Sequence, residues 1–218
     1  MSYFSNLFTI FSSPAETFKR VKANKLAWLF PFLLIIIISL ISVQLQMPAT
    51  LQTTLDTLKA QPNFSAADSD LIVQSTKIMG WVMAPLTIAF MVFLGGLVYL
   101  LLNLIVRGEA KYMQLVTMIT FAMLPSTIGG LITAILVYTT GAASITDISL
   151  SLGALVADKE SLLYHLLSII NPFSLWGLAL YVIGSSVMMN RPRKTVGIWI
   201  IGAWLIISII SLGSLLLV

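Results

Sequence analysis

Side chains that could carry out acid–base, nucleophilic or metal chemistry are scarce and widely separated in this chain. The sequence has no cysteine and a single histidine, His165, so it lacks thiolates, and this histidine alone cannot supply the three protein ligands that a catalytic zinc usually takes. The eight acidic residues all lie outside the long apolar stretches, and the patterns GxxxxGK[ST], HExxH and GxSxG do not occur. We therefore expect no catalytic residue, no cofactor site and no metal site, and a protein that is not an enzyme.

A second group of residues could form a hinge or a polar cavity inside the apolar stretches. Proline removes a helical hydrogen bond and leaves a carbonyl oxygen that nearby hydroxyl groups can satisfy. Ordinary kinks in a packed helical bundle are the alternative interpretation. The candidate residues are Pro85, Gln114, Thr117, Pro125, Ser126, Asn171 and Pro172, and Thr120 and Thr127 extend the same polar spacing.

The elements that must position these residues are long apolar helices. Hydrophobic residues make up 58% of the chain and charged residues only 9%, which is too little polar surface for a protein that faces water on all sides. Five uncharged windows each exceed the roughly 20 residues that a helix needs to cross the hydrocarbon core. The sequence therefore predicts an all-α membrane protein, a bundle of about five transmembrane helices. The predicted spans are Leu26–Leu45, Met79–Val106, Tyr112–Thr139, Leu166–Met189 and Thr195–Leu217.

The distribution of lysine and arginine predicts the orientation of these spans. Nine of the twelve basic residues fall on one side of the predicted topology, and six of the eight acidic residues fall on the other. The positive-inside rule then places the N-terminus in the cytoplasm and the C-terminus outside. These charges flank apolar runs, so we expect them to face membrane lipids and we expect no nucleic-acid partner. The nine residues are Lys19, Arg20, Lys22, Lys25, Arg107, Lys111, Arg191, Arg193 and Lys194.

The first 25 residues form a basic segment that precedes the five-helix region, residues 26–218. Aromatic and aliphatic side chains recur here at helical spacing, which predicts an N-terminal interfacial amphipathic helix. Ser13-Pro14-Ala15-Glu16 has the pattern of a capping box at the start of a second helix. The segment could lie on anionic lipid, or it could dock on a partner protein. The candidate partner-binding residues are Phe4, Leu7, Phe8, Phe11 and Phe18.

Glycine pairs in the predicted spans, such as Gly95-Gly96 and Gly129-Gly130, would allow helix backbones to approach closely. Such contacts could lie inside this bundle or against another membrane protein. The sequence leaves both interpretations open.

Several motifs follow one another along the chain in a characteristic order. Ser13-Pro14-x-Glu16-x-Phe18 precedes the five spans, and a tight inner turn carries Gly108 and Tyr112. Pro125 lies in the third span, and the fourth opens with Asn171-Pro172-Phe173-Ser174-Leu175-Trp176 and continues to Gly184. This arrangement resembles the Yip1-domain family of five-span membrane proteins.

The resemblance implies a function as well as a fold. Eukaryotic relatives have a longer cytosolic N-terminal region and act in vesicle traffic, whereas this chain is similar to the compact bacterial members. Some of those accompany ABC-type exporters as accessory subunits. We therefore expect an integral plasma membrane protein of a bacterium, a non-enzymatic accessory or scaffolding subunit that binds an exporter or itself. The alternative is a small carrier or pore for an uncharged or lipid-like solute.

Overall fold

A computed structural model describes residues 3–60 and 69–215, with side chains described for residues 4–60 and 69–213. Those residues form eight α-helices and two short 3-10 turns, Ile145–Asp147 and Leu152–Leu155, and no strand occurs among them. The helices are α1 (Tyr3–Ser12), α2 (Pro14–Val21), α3 (Leu29–Lys59), α4 (Ser69–Ile105), α5 (Tyr112–Thr140), α6 (Leu162–Ser168), α7 (Pro172–Met189) and α8 (Arg193–Leu215).

Five of these helices, α3, α4, α5, α7 and α8, are long and apolar enough to cross a membrane. Their outward surfaces are apolar, and α8 for example exposes Ile198, Ile206 and Ile210 by more than half. Exposed isoleucines at this density are expected where the surrounding solvent is lipid. The prediction of an all-α membrane protein with five spans is confirmed.

Helix α5 lies at the centre of the bundle. It packs against α3, α4 and α7, whereas α8 packs mainly against α7. Eight consecutive residues of α5, Leu115–Ala122, are all buried. A helix buried around its whole circumference must have protein on every side, so α5 is the element around which the others are arranged.

Small residues allow α7 to approach its neighbours closely. A Cβ added to Gly184 would lie 2.5 Å from Met118 Cγ and 2.8 Å from Phe18 Cζ, and one added to Gly129 would lie 2.8 Å from the Phe173 ring. These glycines therefore serve internal packing. Gly130 and Gly202, by contrast, have nothing within 4 Å of an added Cβ.

The predicted fourth span differs from the structure at its start. The chain breaks between α6 and α7, and Asn171 Oδ1 accepts hydrogen bonds from the backbone N–H groups of Phe173 (2.9 Å) and Ser174 (3.3 Å). Asn171 is thus the N-cap of α7 and Pro172 its first residue. The predicted start at Leu166 is therefore too early, whereas the Asn171-Pro172 motif that opens the predicted fourth span marks the point where the spanning helix begins.

The first two spans are longer than predicted. Helix α3 continues through Pro48 to Lys59, and α4 begins at Ser69 rather than at Met79. Both extensions carry polar residues, so hydropathy does not include them in the predicted spans although they are helical. The hydroxyl groups of Thr50, Thr53 and Thr54 donate hydrogen bonds to backbone carbonyls one turn earlier in α3. These bonds satisfy the hydroxyl donors within the helix itself.

The predicted capping box at Ser13 is absent. The backbone N–H of Ser13 donates to the Thr9 carbonyl (2.7 Å) and so completes the last turn of α1. The Glu16 carboxylate accepts instead from Lys19 Nζ (2.9 Å). Because the Ser13 N–H already donates to the preceding helix, it does not donate to the Glu16 carboxylate, as a capping box would require.

Candidate functional site

The N-terminal segment packs into the bundle. Helix α2 lies along α7 and buries Thr17, Phe18 and Val21. The Phe18 ring is fully buried and meets Phe121 of α5 edge-on, with ring centroids 6.3 Å apart. Phe18, which the sequence placed among the partner-binding residues, is therefore a core residue.

Helix α1 has one buried side and one exposed side. Leu7 and Ile10 are buried, whereas Phe4 and Phe8 are 63% and 72% exposed. Phe4 also contacts Phe30 of α3, with ring centroids 5.1 Å apart. The side chains predicted to share one face of this helix therefore lie on two faces. Leu7 faces the bundle, whereas Phe4 and Phe8, one turn apart, face outward.

The C-terminal end of α1 reaches well into the bundle. Phe11 lines an apolar cavity of about 390 Å³ together with Pro125. Pro125 lies thirteen residues after Tyr112, the first residue of α5, which is about 20 Å along the helix. The C-terminal end of α1 therefore lies beside α5 and α7, near the middle of α5. The cavity is completed by Ile128, Pro172, Phe173 and Trp176.

Hydrogen bonds fix the angle between α1 and α2. The hydroxyl oxygens of Thr9 and Thr17 lie 2.8 Å apart. Arg20 Nη2 donates to both, at 2.8 Å and 3.0 Å. The two helices therefore form one rigid hairpin rather than two independent segments.

Lys22 connects this hairpin to the basic ends of the spans. Its Nζ donates to the Val187 carbonyl (2.7 Å) and to Asn190 Oδ1 (2.6 Å). Asn190 Nδ2 in turn donates to Glu109 Oε2 (2.7 Å). Burial lowers the pKa of Lys22 from its ordinary value, and the negative charge of Glu109 opposes that shift. We call Lys22, Glu109, Asn190 and Gln114 the basic-end network.

Gln114 completes this network from the start of α5. Its Nε2 donates to the Lys22 carbonyl (3.0 Å), and its Oε1 accepts from the backbone N–H of Lys111 (2.8 Å). The residue predicted to line a polar cavity thus ties α5 to the N-terminal hairpin.

Two tight turns at the same end of the bundle pack against each other. Asn190 and Arg107 both have φ of 53°, in the left-handed region that asparagine tolerates better than most residues. The Glu109 N–H donates to the Met189 carbonyl (3.1 Å), and the Arg191 guanidinium donates to the Arg107 carbonyl. The α4–α5 and α7–α8 turns are therefore joined by backbone and side-chain contacts.

The remaining basic residues surround this network. Lys25 and Lys111 line a cavity of about 550 Å³ together with Lys22, and Arg193 and Lys194 are exposed in the first turn of α8. The structure thus gathers Lys22, Lys25 and Lys111 around one cavity at this end.

Glu109, Asn190 and Asn103 are residues that the sequence interpretation missed. Asn103 is buried in α4, and its Oδ1 accepts from the backbone N–H of Ala110 (3.1 Å), which closes the α4–α5 turn. Glu109 did carry a signal, because it is an acidic residue within a turn that otherwise carries basic charge. Asn190 carried none beyond its place at the end of an apolar run.

The residues predicted to form a hinge or a polar cavity are distributed over several places in the bundle: Pro125 and Pro172 line the apolar cavity beside Phe11, and Gln114 lines the cavity beside Lys22 and Lys111. Thr117 and Thr120 are at most 1% exposed, and their hydroxyl groups donate to the carbonyls of Met113 (2.8 Å) and Thr117 (2.9 Å). Ser126 is exposed, and Pro85 lies half-buried within an unbroken α4. The polar face of α5 is buried at Thr117 and Thr120.

His165 lies at the end of α6 against the Tyr164 ring, with centroids 5.4 Å apart. Within the part of the chain that the structure describes, no three His, Cys, Asp or Glu side chains come together as a metal site would require.

Comparison with known proteins places these features in a family. Residues 8–215 match the Yip1 domain family. The chain is also similar to the membrane protein YknW of Bacillus subtilis (strain 168), with 26% identity over 179 residues that cover 82% of this chain and 76% of that protein. No solved structure matches it.

Proposed function

Because this chain belongs to the Yip1 domain family, we propose that it acts as a non-enzymatic accessory or scaffolding subunit that binds another integral membrane protein. The observation that carries the proposal is the outward pair Phe4 and Phe8 on a helix held in place by Leu7 and Ile10. The bundle thereby presents two large aromatic side chains on a fixed backbone.

Such a surface is well suited to binding. Aromatic residues are enriched at the centres of protein interfaces, where a few side chains contribute most of the binding energy. The hydrogen bonds from Arg20 to Thr9 and Thr17 hold α1 before any partner arrives, so little conformational entropy is lost on association.

The partner that we propose is an ABC-type exporter in a bacterial plasma membrane. The chain has no nucleotide-binding motif of its own, so in an ATP-driven exporter the ATPase would be a different subunit of the complex. We place the N-terminus and the basic-end network in the cytoplasm and the C-terminus outside, since cytoplasmic loops are enriched in lysine and arginine.

The alternative, a carrier or pore for an uncharged or lipid-like solute, has less support. A pathway lined by Thr117 and Thr120 would need their hydroxyl groups to face a cavity, and both groups are instead bonded within their own helix.

The test is co-purification of the tagged protein from its native membrane in a mild detergent. We expect a stoichiometric complex that contains exporter subunits, one of them carrying GxxxxGK[ST], and we expect the double variant Phe4→Ser/Phe8→Ser to lose it. If both side chains are hot spots of the interface, truncating each should weaken binding by about 2 kcal/mol or more.

Phe90→Ser is the matched control. Phe90 is 62% exposed, on α4, and so resembles Phe4 and Phe8 in type and exposure but lies on another surface. It should leave the complex intact. Recovery of the unmodified chain alone or as a homo-oligomer, or equal loss with Phe90→Ser, would count against this assignment.

A further inference from the structure

A second cavity at the basic end of the bundle has the composition of an anion-binding site. It lies between α2, α7 and the start of α8 and has a volume of about 540 Å³. Three cations, one acid and two neutral polar side chains line it: Lys19, Lys22, Arg193, Glu16, Ser186 and Asn190.

Positive charge in this cavity is only partly balanced. Glu16 pairs with Lys19 at 2.9 Å, and this pairing lowers the pKa of the Glu16 carboxyl. Within the described part of the chain, neither Lys22 nor Arg193 forms a salt bridge. Two positive charges therefore face the cavity without a contacting carboxylate.

Lys22 is also fixed in position. Its ammonium group is held by two neutral oxygens, the Val187 carbonyl and Asn190 Oδ1. These acceptors orient the ammonium group but do not neutralise it, and Glu109, the acid of the network, is bonded to Asn190 Nδ2 rather than to Lys22. A bound anion would meet a preorganised cation rather than a mobile surface lysine.

Arg193 opens α8, where its charge adds to the positive end of the helix dipole. Cations are disfavoured at a helix N-terminus, and an anion there relieves that repulsion. The cavity thus combines a side-chain cation from α2 with the positive end of a 23-residue helix.

The cavity also lies at one end of a bundle whose helices expose apolar side chains. On α8, Val196 and Gly197, one turn after Arg193, are buried, and the first exposed apolar residues are Ile198 (64%) and Trp199 (51%). An anion that carries acyl chains could place its charge in the cavity and its chains along the apolar outer surface of the bundle. A free anion would gain nothing from the apolar surface.

We propose that this cavity binds the phosphate headgroup of an anionic phospholipid through Lys22 and Arg193, and that the lipid joins the N-terminal hairpin to α8. Helix α8 packs mainly against α7, so such a lipid would give it a second attachment. This inference is independent of the proposed partner protein.

The experiment compares lipid binding by purified protein in detergent, with phosphatidylglycerol against phosphatidylcholine, by native mass spectrometry and by the shift in Tm. We expect phosphatidylglycerol to be retained and to raise Tm, and Arg193→Gln to bind it about tenfold more weakly, as loss of one charge-assisted hydrogen bond predicts. Glu16→Gln should bind more tightly, because it removes the negative charge that lines the cavity.

Lys194→Gln is the matched control, since Lys194 is the exposed neighbour of Arg193 but does not line the cavity. It should bind phosphatidylglycerol as the unmodified protein does. Equal weakening by Lys194→Gln and Arg193→Gln would show diffuse surface attraction and overturn the proposal. An equal response to phosphatidylcholine would overturn it as well.

Inorganic phosphate distinguishes a lipid site from a site for a free anion. If millimolar phosphate alone produced the full Tm shift, the lipid assignment would be wrong. Lys22→Gln is a second variant but also breaks the basic-end network, so Arg193→Gln, whose side chain makes none of those hydrogen bonds, decides the case.

Discussion

Gly184 shows how much of this structure depends on a single missing side chain. Phe18 and Met118 occupy the space that a Cβ at this position would take. Because Phe18 belongs to the N-terminal hairpin and Met118 to the central helix, this glycine is where three elements meet. The packing of the N-terminal hairpin against the bundle thus depends on α7 having no side chain at position 184.

Gly184→Ala should lower the free energy of unfolding by about 1–3 kcal/mol, because the added methyl group would overlap the Phe18 ring and Met118 Cγ. The ring is rigid and Cγ lies close to the backbone, so neither can move aside easily. Thermal unfolding in detergent would measure the change. Gly130→Ala is the control, since nothing lies within 4 Å of its added Cβ. Alanine there should be neutral or stabilise the helix by up to about 1 kcal/mol. Similar effects at both sites would contradict the packing contact described for Gly184.

At the scale of elements, α7 is defined by its two ends. Asn171 caps its N-terminus with a side-chain oxygen, and Asn190, in the left-handed conformation, ends it and enters the basic-end network. The two asparagines thus set the start and the end of an 18-residue helix that is just long enough to span the hydrocarbon core. The position of α7 therefore depends on capping as well as on hydropathy.

Asn171→Ala should destabilise the protein by about 1 kcal/mol, the usual cost of losing an N-cap. Asn171→Ser should retain nearly all of the stability, because a serine oxygen can accept the same backbone hydrogen bonds. Unfolding of both variants under one set of detergent conditions would test this. If the serine variant were as unstable as the alanine variant, the role of Asn171 would not be capping.

At the scale of the whole molecule, all nine basic residues of the predicted inner side belong to the N-terminal segment, to the α4–α5 turn, or to the α7–α8 turn with the first two residues of α8. The network of Lys22, Glu109 and Asn190 joins those three regions directly. The membrane orientation and the packing of the N-terminal hairpin therefore involve the same end of the bundle.

The orientation can be tested cleanly because the chain has no cysteine. We expect a single cysteine at Lys194→Cys to be shielded from a membrane-impermeant maleimide in intact cells and to react after permeabilisation. Asp158→Cys should react in intact cells, because the positive-inside rule places it outside. The opposite labelling pattern would reverse the proposed topology.

The sequence by itself determined the class of the protein and the approximate position of its spans. Runs such as the one from Phe32 to Ile38 are lipid-soluble because of their composition alone, and backbone groups in lipid must bond within a helix. Both requirements are local, so they can be recognised without knowing which helices are neighbours.

Only the tertiary structure decided which side chains meet. Lys22 and Asn190 are 168 positions apart and Asn190 and Glu109 are 81 apart, and no periodicity connects them. Phe18 has the same hydrophobicity as Phe8, yet one is fully buried and the other is 72% exposed. In a chain this apolar, hydrophobicity does not separate a side chain that faces lipid from one that faces protein, so only the packing of helices against each other makes that distinction.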